Sequence, residues 1–160
     1  MEVTFETIGT IYTPFDSREG MPIQSIGAEG INGRIVLMEE FAAGLKDLDG
    51  FSHIILLYHF HRSGSYKLLT VPFLDNTERG VFATRAPARP VPIGLSVVRL
   101  LKIEGNVIEI GNVDILNETP LLDIKPYVPC FDIHKAEKSG WVGERANRLK
   151  DIKSDNRFRK

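Results

Sequence analysis

The sequence is poor in cysteine, since Cys130 is the only one among 160 residues. A single cysteine excludes an intrachain disulfide and a cysteine-rich zinc or iron–sulfur site, and it suits a reducing compartment. No apolar run is long enough to span a membrane, and the residues after Met1 lack the pattern of a signal peptide. We therefore expect a cytoplasmic protein without membrane association.

Several familiar catalytic motifs are also missing. The chain has no Walker loop, no G-x-S-x-G and no H-E-x-x-H. The glycines at 27, 30 and 33 lack dinucleotide-binding spacing and do not open a helix, so they indicate a flexible loop. His59 and His61 share one face of a strand, a spacing that can chelate a metal, but nothing marks a third ligand. We predict no metal and interpret the two histidines as packed or hydrogen-bonded near a strand end.

Charge is unevenly spread along the chain. Apolar residues make up 42% and charged residues 26% of the sequence, as in an ordinary globular domain, and the net charge is −1. Residues 137–160 carry eight Lys/Arg and four acids, a net of +4. We divide the chain into a domain at 1–136 and a basic C-terminal helix or tail at 137–160. The tail is either a nucleic-acid contact or a solvated terminal helix.

Short β-like segments dominate the rest. The strongest strand is Phe51–His61, whose middle is apolar on both faces and predicts burial on both sides. Strands at Leu95–Ile103 and Val107–Ile110 form the clearest hairpin. Other strands are predicted at 5–12, 34–38, 68–71, 81–84 and 121–124, with helical turns at 39–45 and a short helix at 143–150. We expect Pro126 and Pro129 to stop regular structure, and Pro129 argues against a helix at that point. Because strands and helices do not alternate, we predict an all-β fold: a small single-domain β-barrel with long loops and a short C-terminal helix.

The segment Gly80–Ser96 (GVFATRAPARPVPIGLS) combines two arginines with three prolines. Proline fixes φ and pushes the preceding residue into an extended conformation, so this segment is a stiff, non-helical loop. Arg85 and Arg89 on such a loop suit a carboxylate or phosphate. The alternative is a rigid surface turn with two solvated arginines.

The segment Asp114–Tyr127 (DILNETPLLDIKPY) is the second unusual one. Its carboxylates, Lys125 and Tyr127 could form an acid–base cluster, or an ordinary loop held by contacts between Asp123 and Lys125. One basic and one acidic loop together could grip a zwitterion.

These residues resemble a known family. Gly80–Ser96 resembles the signature GVFATRSPxRPNPIGLS, and Asp114–Tyr127 resembles DxLDGTPxLDIKPY. With Ile8–Phe15 and Gly44–His53, they are similar to the TrmO (YaeB/TsaA-like) family of tRNA methyltransferases over roughly residues 6–132. Val91 stands where the family usually has Asn, and Asn117-Glu118 stands where Asp-Gly is common.

The resemblance implies a β-barrel that binds S-adenosylmethionine and works as a homodimer in the cytoplasm, with tRNA and not DNA as its nucleic-acid partner. It implies a tRNA (adenine(37)-N6)-methyltransferase that acts on N6 of threonylcarbamoyladenosine. The alternatives are a methyltransferase of the same fold with another substrate, and a non-catalytic cofactor- or RNA-binding module.

The resemblance also implies a set of cofactor-binding residues: Ile23, Gln24, Ser25, His61, Arg62, Arg85, Leu95, Asp114, Ile115, Leu116 and Asn117. For the implied reaction, our candidate catalytic bases are Asp123 and Tyr127. Our candidates for contact with RNA phosphates are Arg89 and Lys125.

Overall fold

Six antiparallel strands close into a barrel in the computed structural model of this chain, which describes residues 1–143 and 153–154. The barrel order is β1-β2-β7-β6-β3-β8, and β4 and β5 pair separately as a small two-stranded sheet. The predicted β-barrel is therefore confirmed. The strands are β1 Gly9–Tyr12, β2 Asn32–Leu37, β3 His53–His59, β4 Leu69–Thr70, β5 Arg79–Gly80, β6 Ile93–Glu104, β7 Val107–Gly111 and β8 Thr119–Pro126.

Helical structure is short throughout the described residues. Three-residue 3-10 turns form at Ser25–Gly27, Leu48–Gly50 and Val81–Ala83, and a longer one forms at Glu39–Leu45. The α-helix α1 spans Pro129–Asp132. No helix in the described part of the chain is both long and apolar enough to cross a membrane.

The core is the inside of the barrel, filled by alternate residues of each strand. In β3 the inward residues Ile54, Leu56 and Tyr58 are buried, whereas the outward residues Ile55 and Leu57 are partly exposed. The expectation that this strand is buried on both sides is thus wrong, because a barrel has its packed core on one side of each strand only. The centre of the core is aliphatic and mostly β-branched, from Ile11, Ile35, Val98, Ile108, Ile110 and Leu121.

Three connections leave the barrel at one end. Because neighbouring strands are antiparallel, the segments 13–31, 60–92 and 112–118 emerge together beyond the ends of β1, β3 and β7. We call this the loop end. The opposite end has the segment 38–52 and the tight turn 105–106, where Gly105 adopts φ +59°.

Three local predictions differ from the structure. The strand expected at 81–84 is instead a 3-10 turn that follows the short β5. Contrary to expectation, Pro126 lies within regular structure, as the last residue of β8. Pro129 also departs from expectation, because it begins α1, where its fixed φ fits the first turn. The helix predicted at 143–150 falls, except for its first residue, outside the described residues.

Gly94 is the point at which β6 makes room for an aromatic ring. It is the cross-strand partner of Tyr58, and a Cβ added to it would lie 2.5 Å from Cζ of Tyr58 and 2.9 Å from Cζ of Phe60. The two rings pack edge to face with centroids 5.4 Å apart. The Tyr58 hydroxyl lies 2.9 Å from Oγ of Ser96. A glycine is therefore a packing requirement for the position of Tyr58.

We predict that Gly94→Ala lowers the free energy of unfolding by about 1–3 kcal/mol, because the Tyr58 ring must shift to admit a methyl group. Urea denaturation measures the loss. Gly44→Ala is the matched control, since a Cβ there would meet nothing within 4 Å. Equal stability of the two variants would show that the ring moves without cost.

Candidate cofactor site at the loop end of the barrel

The three loops at the loop end carry nearly all the residues expected to bind the cofactor. Segment 13–31 holds Ile23–Ser25, segment 60–92 holds His61, Arg62 and Arg85, and segment 112–118 holds Asp114–Asn117. Leu95 is the third residue of β6, at the same end of the barrel. The fold thus brings together residues that lie up to about 90 positions apart in the sequence.

Arg85 joins two of these loops. Its Nη1 donates a hydrogen bond of 2.8 Å to Oε1 of Gln24, and Nε2 of Gln24 donates one of 2.7 Å to the carbonyl of Ile23. The Arg85 side chain is exposed. Because Gln24 is neutral, this contact orients the guanidinium without cancelling its charge.

A polar chain leads from inside the barrel to Asp114. The hydroxyls of Tyr58 and Ser96 are 2.9 Å apart, and Ser96 donates a hydrogen bond of 2.7 Å to Oδ1 of Asp114. The backbone N–H of Ser25 also donates to the Asp114 carboxylate. Segments 13–31 and 112–118 therefore meet at Asp114, which lies close enough to Arg85 to feel its charge.

Burial controls the protonation of this chain. It raises the pKa of Asp114 to about 6, although the hydrogen bonds from Ser96 and Ser25 and the charge of Arg85 act in the opposite direction. Burial, with a further contribution from the Asp114 charge, raises the pKa of Tyr58 well above its usual range. At neutral pH the site therefore presents a carboxylate, a neutral phenol and a guanidinium.

A second group of contacts fixes Arg62 and Asn117. Nη1 of Arg62 donates a 2.7 Å hydrogen bond to the carbonyl of Asp16, and its Nη2 lies 3.8 Å from Oε2 of Glu118. Oδ1 of Asn117 accepts the Thr13 N–H at 3.1 Å, and Nδ2 donates to Oδ1 of Asp16 at 2.9 Å. Both the oxygen and the nitrogen of the Asn117 amide are therefore occupied by contacts with segment 13–31. A ligand at this point would form its hydrogen bonds with backbone groups.

His61 has an unsatisfied ring nitrogen. Its Nε2 is buried and has no hydrogen-bond partner among the described residues, while Nδ1 lies 3.4 Å from Oγ1 of Thr119. Burial, followed by the nearby charges of Arg62 and His59, lowers the pKa of His61 and favours neutral imidazole. A buried polar atom left without a partner is costly, so it marks a position where a ligand group would gain a hydrogen bond.

The spacing argument for a histidine pair does not apply here. β3 ends at His59, and the N–H of His61 bonds back to the carbonyl of His59 at 2.8 Å. Within residues 1–143 and 153–154, no three His, Cys, Asp or Glu residues are placed to hold a metal ion.

Three other residues expected to bind the cofactor differ in which of their atoms a ligand could contact. The side chain of Ile115 is buried in the core, and its carbonyl accepts a 2.7 Å hydrogen bond from Oγ1 of Thr13. The carbonyl of Leu116 accepts one of 2.8 Å from Thr119. Leu95 points outward from β6 and is 51% exposed. A ligand at the loop end would therefore meet Ile115 through its backbone only.

The two candidate bases lie in different places. Asp123 is opposite Leu57 on β8 and so faces outward, and it pairs with Lys125 at 2.6 Å. Tyr127 follows the end of β8, where its N–H bonds to the carbonyl of His53 at 3.1 Å. At about 3.3 Å per residue, Tyr127 lies roughly 13 Å beyond Asp123, towards the opposite end of the barrel.

The two candidate RNA contacts also differ. Nη1 of Arg89 donates hydrogen bonds to the carbonyls of Thr84 and Ala86, at 3.2 and 3.4 Å. Arg89 therefore stabilises the backbone of the proline-rich segment 80–96, which we call the proline loop. The Lys125 side chain is 58% exposed despite its ion pair. Lys125 is the better placed of the two to reach another molecule.

Sequence reasoning did not select Tyr58 and Ser96. Both stand at inward positions of strands whose other inward residues, such as Ile54, Leu56 and Val98, are apolar. The signal that could have identified them is a polar residue at a position where the alternation of the strand predicts a buried apolar one.

Comparison with known proteins gives a consistent result. The model of the tRNA-methyltransferase O N-terminal domain matches residues 10–133. A probable S-adenosyl-L-methionine-binding protein of Pyrococcus abyssi is 49% identical over 156 residues, which cover 98% of this chain and 85% of that protein. The tRNA (adenine(37)-N6)-methyltransferase of Escherichia coli is 34% identical over 135 residues, which cover 78% of this chain and 57% of the enzyme.

A solved structure agrees with these sequence matches. The crystal structure of TrmO from Pseudomonas aeruginosa is 35% identical and has a TM-score of 0.75, covering 88% of this chain and 63% of that one. The chain thus spans 57% of the Escherichia coli enzyme and 63% of the Pseudomonas chain.

We predict that Asp114 makes the protein less stable as the pH rises from about 4 to about 7. Its pKa is raised from 3.8 to about 6, so between these values the folded protein holds a proton that the unfolded chain has released. The free energy of unfolding therefore falls as the pH rises through this window. Relative to wild type, Asp114→Asn should gain up to about 3 kcal/mol at pH 7 and almost nothing at pH 4.

Urea denaturation at the two pH values measures this difference. Asp123→Asn is the control, because that side chain is 41% exposed and its substitution should matter little at either pH. A difference between wild type and Asp114→Asn that does not change with pH would contradict the prediction.

Proposed function

This chain belongs to the TrmO family, as its motifs predict, and on that premise we propose that it transfers a methyl group from S-adenosylmethionine to N6 of threonylcarbamoyladenosine at position 37 of tRNA. The observation that carries the proposal is the meeting of Arg85, Gln24 and Asp114 at the loop end. The Pyrococcus relative is named for S-adenosylmethionine binding and the Escherichia relative for the tRNA reaction, and the proposal extends both to this chain.

The residues present fit such a cofactor. S-adenosylmethionine carries a carboxylate, an ammonium and a sulfonium group, and the site offers one cation and one anion. Arg85 would take the carboxylate in charge-assisted hydrogen bonds, and Asp114 is an anion at neutral pH that favours a nearby positive charge. The unsatisfied Nε2 of His61 and the backbone of segments 23–25 and 114–117 supply further polar groups. When bound, the cofactor supplies an electrophilic methyl group.

The protein's part in the reaction is positioning and proton removal. The prolines around Arg85 restrict the loop before any ligand arrives, which lowers the entropy lost on binding. The N6 nitrogen must lose its proton during or after the transfer. We propose Asp123 as the base, because it lies on the same outer face as Leu95, with Leu57 between them. Tyr127, the other candidate, lies further from the loop end.

Recognition of the RNA would begin beside this base. Lys125 neighbours Asp123 on β8 and exposes its ammonium group, which suits a phosphate. The proposed target lies in a single-stranded loop, so little unstacking energy is needed. The cytoplasmic location remains a prediction, which cell fractionation would test.

Another substrate on the same fold is favoured by one observation. Glu118 adopts φ +60°, a conformation that suits the glycine common in the family at this position. Its carboxylate lies 3.8 Å from Arg62 of the loop end. An extra negative charge here changes what the site would attract, so the modified nucleoside needs a direct test.

We propose that the chain forms a homodimer. Three large apolar side chains of the segment 80–96 are exposed, Phe82 at 77%, Val91 at 61% and Leu95 at 51%. Burying such side chains against a second copy would stabilise the pair. Light scattering should give twice the chain mass of 18.0 kDa, and Phe82→Ser should shift the population towards monomer. A monomeric wild type at micromolar concentration would exclude the dimer.

The function is tested by transfer of labelled methyl groups from S-adenosylmethionine to purified tRNA. We expect incorporation into tRNA that carries threonylcarbamoyladenosine and none into tRNA that lacks it. Arg85→Ala should weaken cofactor binding by about 1.5–3 kcal/mol in calorimetry, because a charge-assisted hydrogen bond is lost.

Arg99→Ala is the matched control for charge, since Arg99 is exposed on β6 outside the loop end. Cofactor binding without methylation of either tRNA would favour another substrate. Absence of cofactor binding in the wild type would remove the methyltransferase proposal, and an unchanged affinity of Arg85→Ala would remove Arg85 from the site.

A further inference from the structure

Trp141 lies outside the family domain but touches one of the cofactor loops. It is the only tryptophan of the chain, and it follows the matched residues 10–133. Its Nε1–H donates a 2.8 Å hydrogen bond to the carbonyl of Ala83. Ala83 ends the 3-10 turn Val81–Ala83 and stands two residues before Arg85. The contact therefore fixes the backbone from which the Arg85 side chain departs.

One face of the Trp141 ring packs against an ion pair. The guanidinium of Arg79 lies over the indole at 5.8 Å from the ring centroid. Arg79 in turn donates from Nε and Nη2 to Oδ2 of the buried Asp75, at 2.9 and 2.8 Å. Oδ1 of Asp75 accepts the backbone N–H groups of Asn76 and Thr77. Trp141 is thus placed between a buried ion pair and the proline loop.

Ser154 makes comparable contacts with segment 13–31, the loop that carries Gln24. The N–H of Gly20 bonds to the carbonyl of Ser154 at 3.0 Å, and the N–H of Ser154 bonds to the carbonyl of Met21 at 2.8 Å. The Ser154 hydroxyl donates to the carbonyl of Arg18. Met21 is itself buried, and Gln24 follows three residues later.

The two attachments converge on one contact. Between β1 and β2, the structure has only the turn Ser25–Gly27 as regular structure, so the position of Gln24 depends on where residues 18–22 are held. Arg85 depends in the same way on Ala83. Gln24 and Arg85 then meet at 2.8 Å, and each lies on a loop whose backbone bonds to Trp141 or to Ser154.

We propose that Trp141 and Ser154 are positioning residues for the cofactor: they hold the two loops in the arrangement in which Gln24 orients Arg85. Cofactor affinity then depends on residues beyond the family domain. This inference rests on the proposed function for its cofactor, but its structural part, the ordering of the two loops, can be measured without one.

The test uses full-length Trp141→Phe, which keeps an aromatic ring over Arg79 and removes the N–H that binds Ala83. We expect the Kd for S-adenosylmethionine in calorimetry to rise about two- to tenfold, as for the loss of one hydrogen bond. Trp141→Ala should raise it further. Lys138→Ala, an exposed change in the same segment, should leave it unaltered.

Amide hydrogen exchange without cofactor separates positioning from general stability. Trp141→Phe should speed exchange at residues 83–86 and leave the amides of β3 and β6 protected. Ser154→Pro, which removes the N–H that binds the carbonyl of Met21, should speed exchange at residues 20–25. Unchanged loop exchange, or a uniform increase through the barrel, would overturn the inference whether or not the cofactor binds.

Equal affinity of wild type and Trp141→Phe would overturn it while leaving the proposed function intact. If the wild type fails to bind S-adenosylmethionine, the proposed function fails, and the exchange measurement still decides whether Trp141 and Ser154 order the loops.

Discussion

The pairing of β1 with β8 closes the barrel, and the candidate site depends on that closure. β1 is only four residues long, yet it pairs with β2 on one side and with β8 on the other. Closure removes the exposed edges that an open sheet would present. It also brings segment 13–31 beside segment 112–118, so that Asn117 can bond to Thr13 and Ser25 to Asp114. The pairing of β2 with β7 already joins these two segments at residues 31 and 113, and closure adds the contact between Thr13 and Asn117.

Within the closed barrel, one buried polar chain links packing to charge. Gly94 leaves space for the Tyr58 ring, the ring carries its hydroxyl to Ser96, and Ser96 donates to Asp114. A carboxylate in such a position pays a desolvation penalty, which appears as its raised pKa. A positively charged ligand would offset part of that penalty. The burial that destabilises the ligand-free carboxylate at neutral pH would therefore favour a cation beside it.

The sequence allowed some of this to be predicted, because certain patterns are local. The alternation in β3 and the turn between β6 and β7 indicated strands, and two long motifs identified the family. The contact between Arg85 and Gln24 joins residues 61 positions apart, and that between Ser96 and Asp114 joins residues 18 apart. No periodicity specifies such pairs, since they follow from the closure of the barrel. Pro129 was misjudged because its effect depends on its place in a helix, which composition alone does not give.

The same dependence on distant contacts bears on what the family domain contributes by itself. Residues 10–133 contain every side chain expected to touch the cofactor, together with the strands that carry them. They do not contain Trp141 or Ser154, which bond to the backbone close to Arg85 and Gln24. Loops without strand pairing lose much conformational entropy when they are ordered, so any contact that orders them in advance strengthens binding. If Trp141 and Ser154 act as proposed, the affinity for the cofactor depends on them as well as on the barrel.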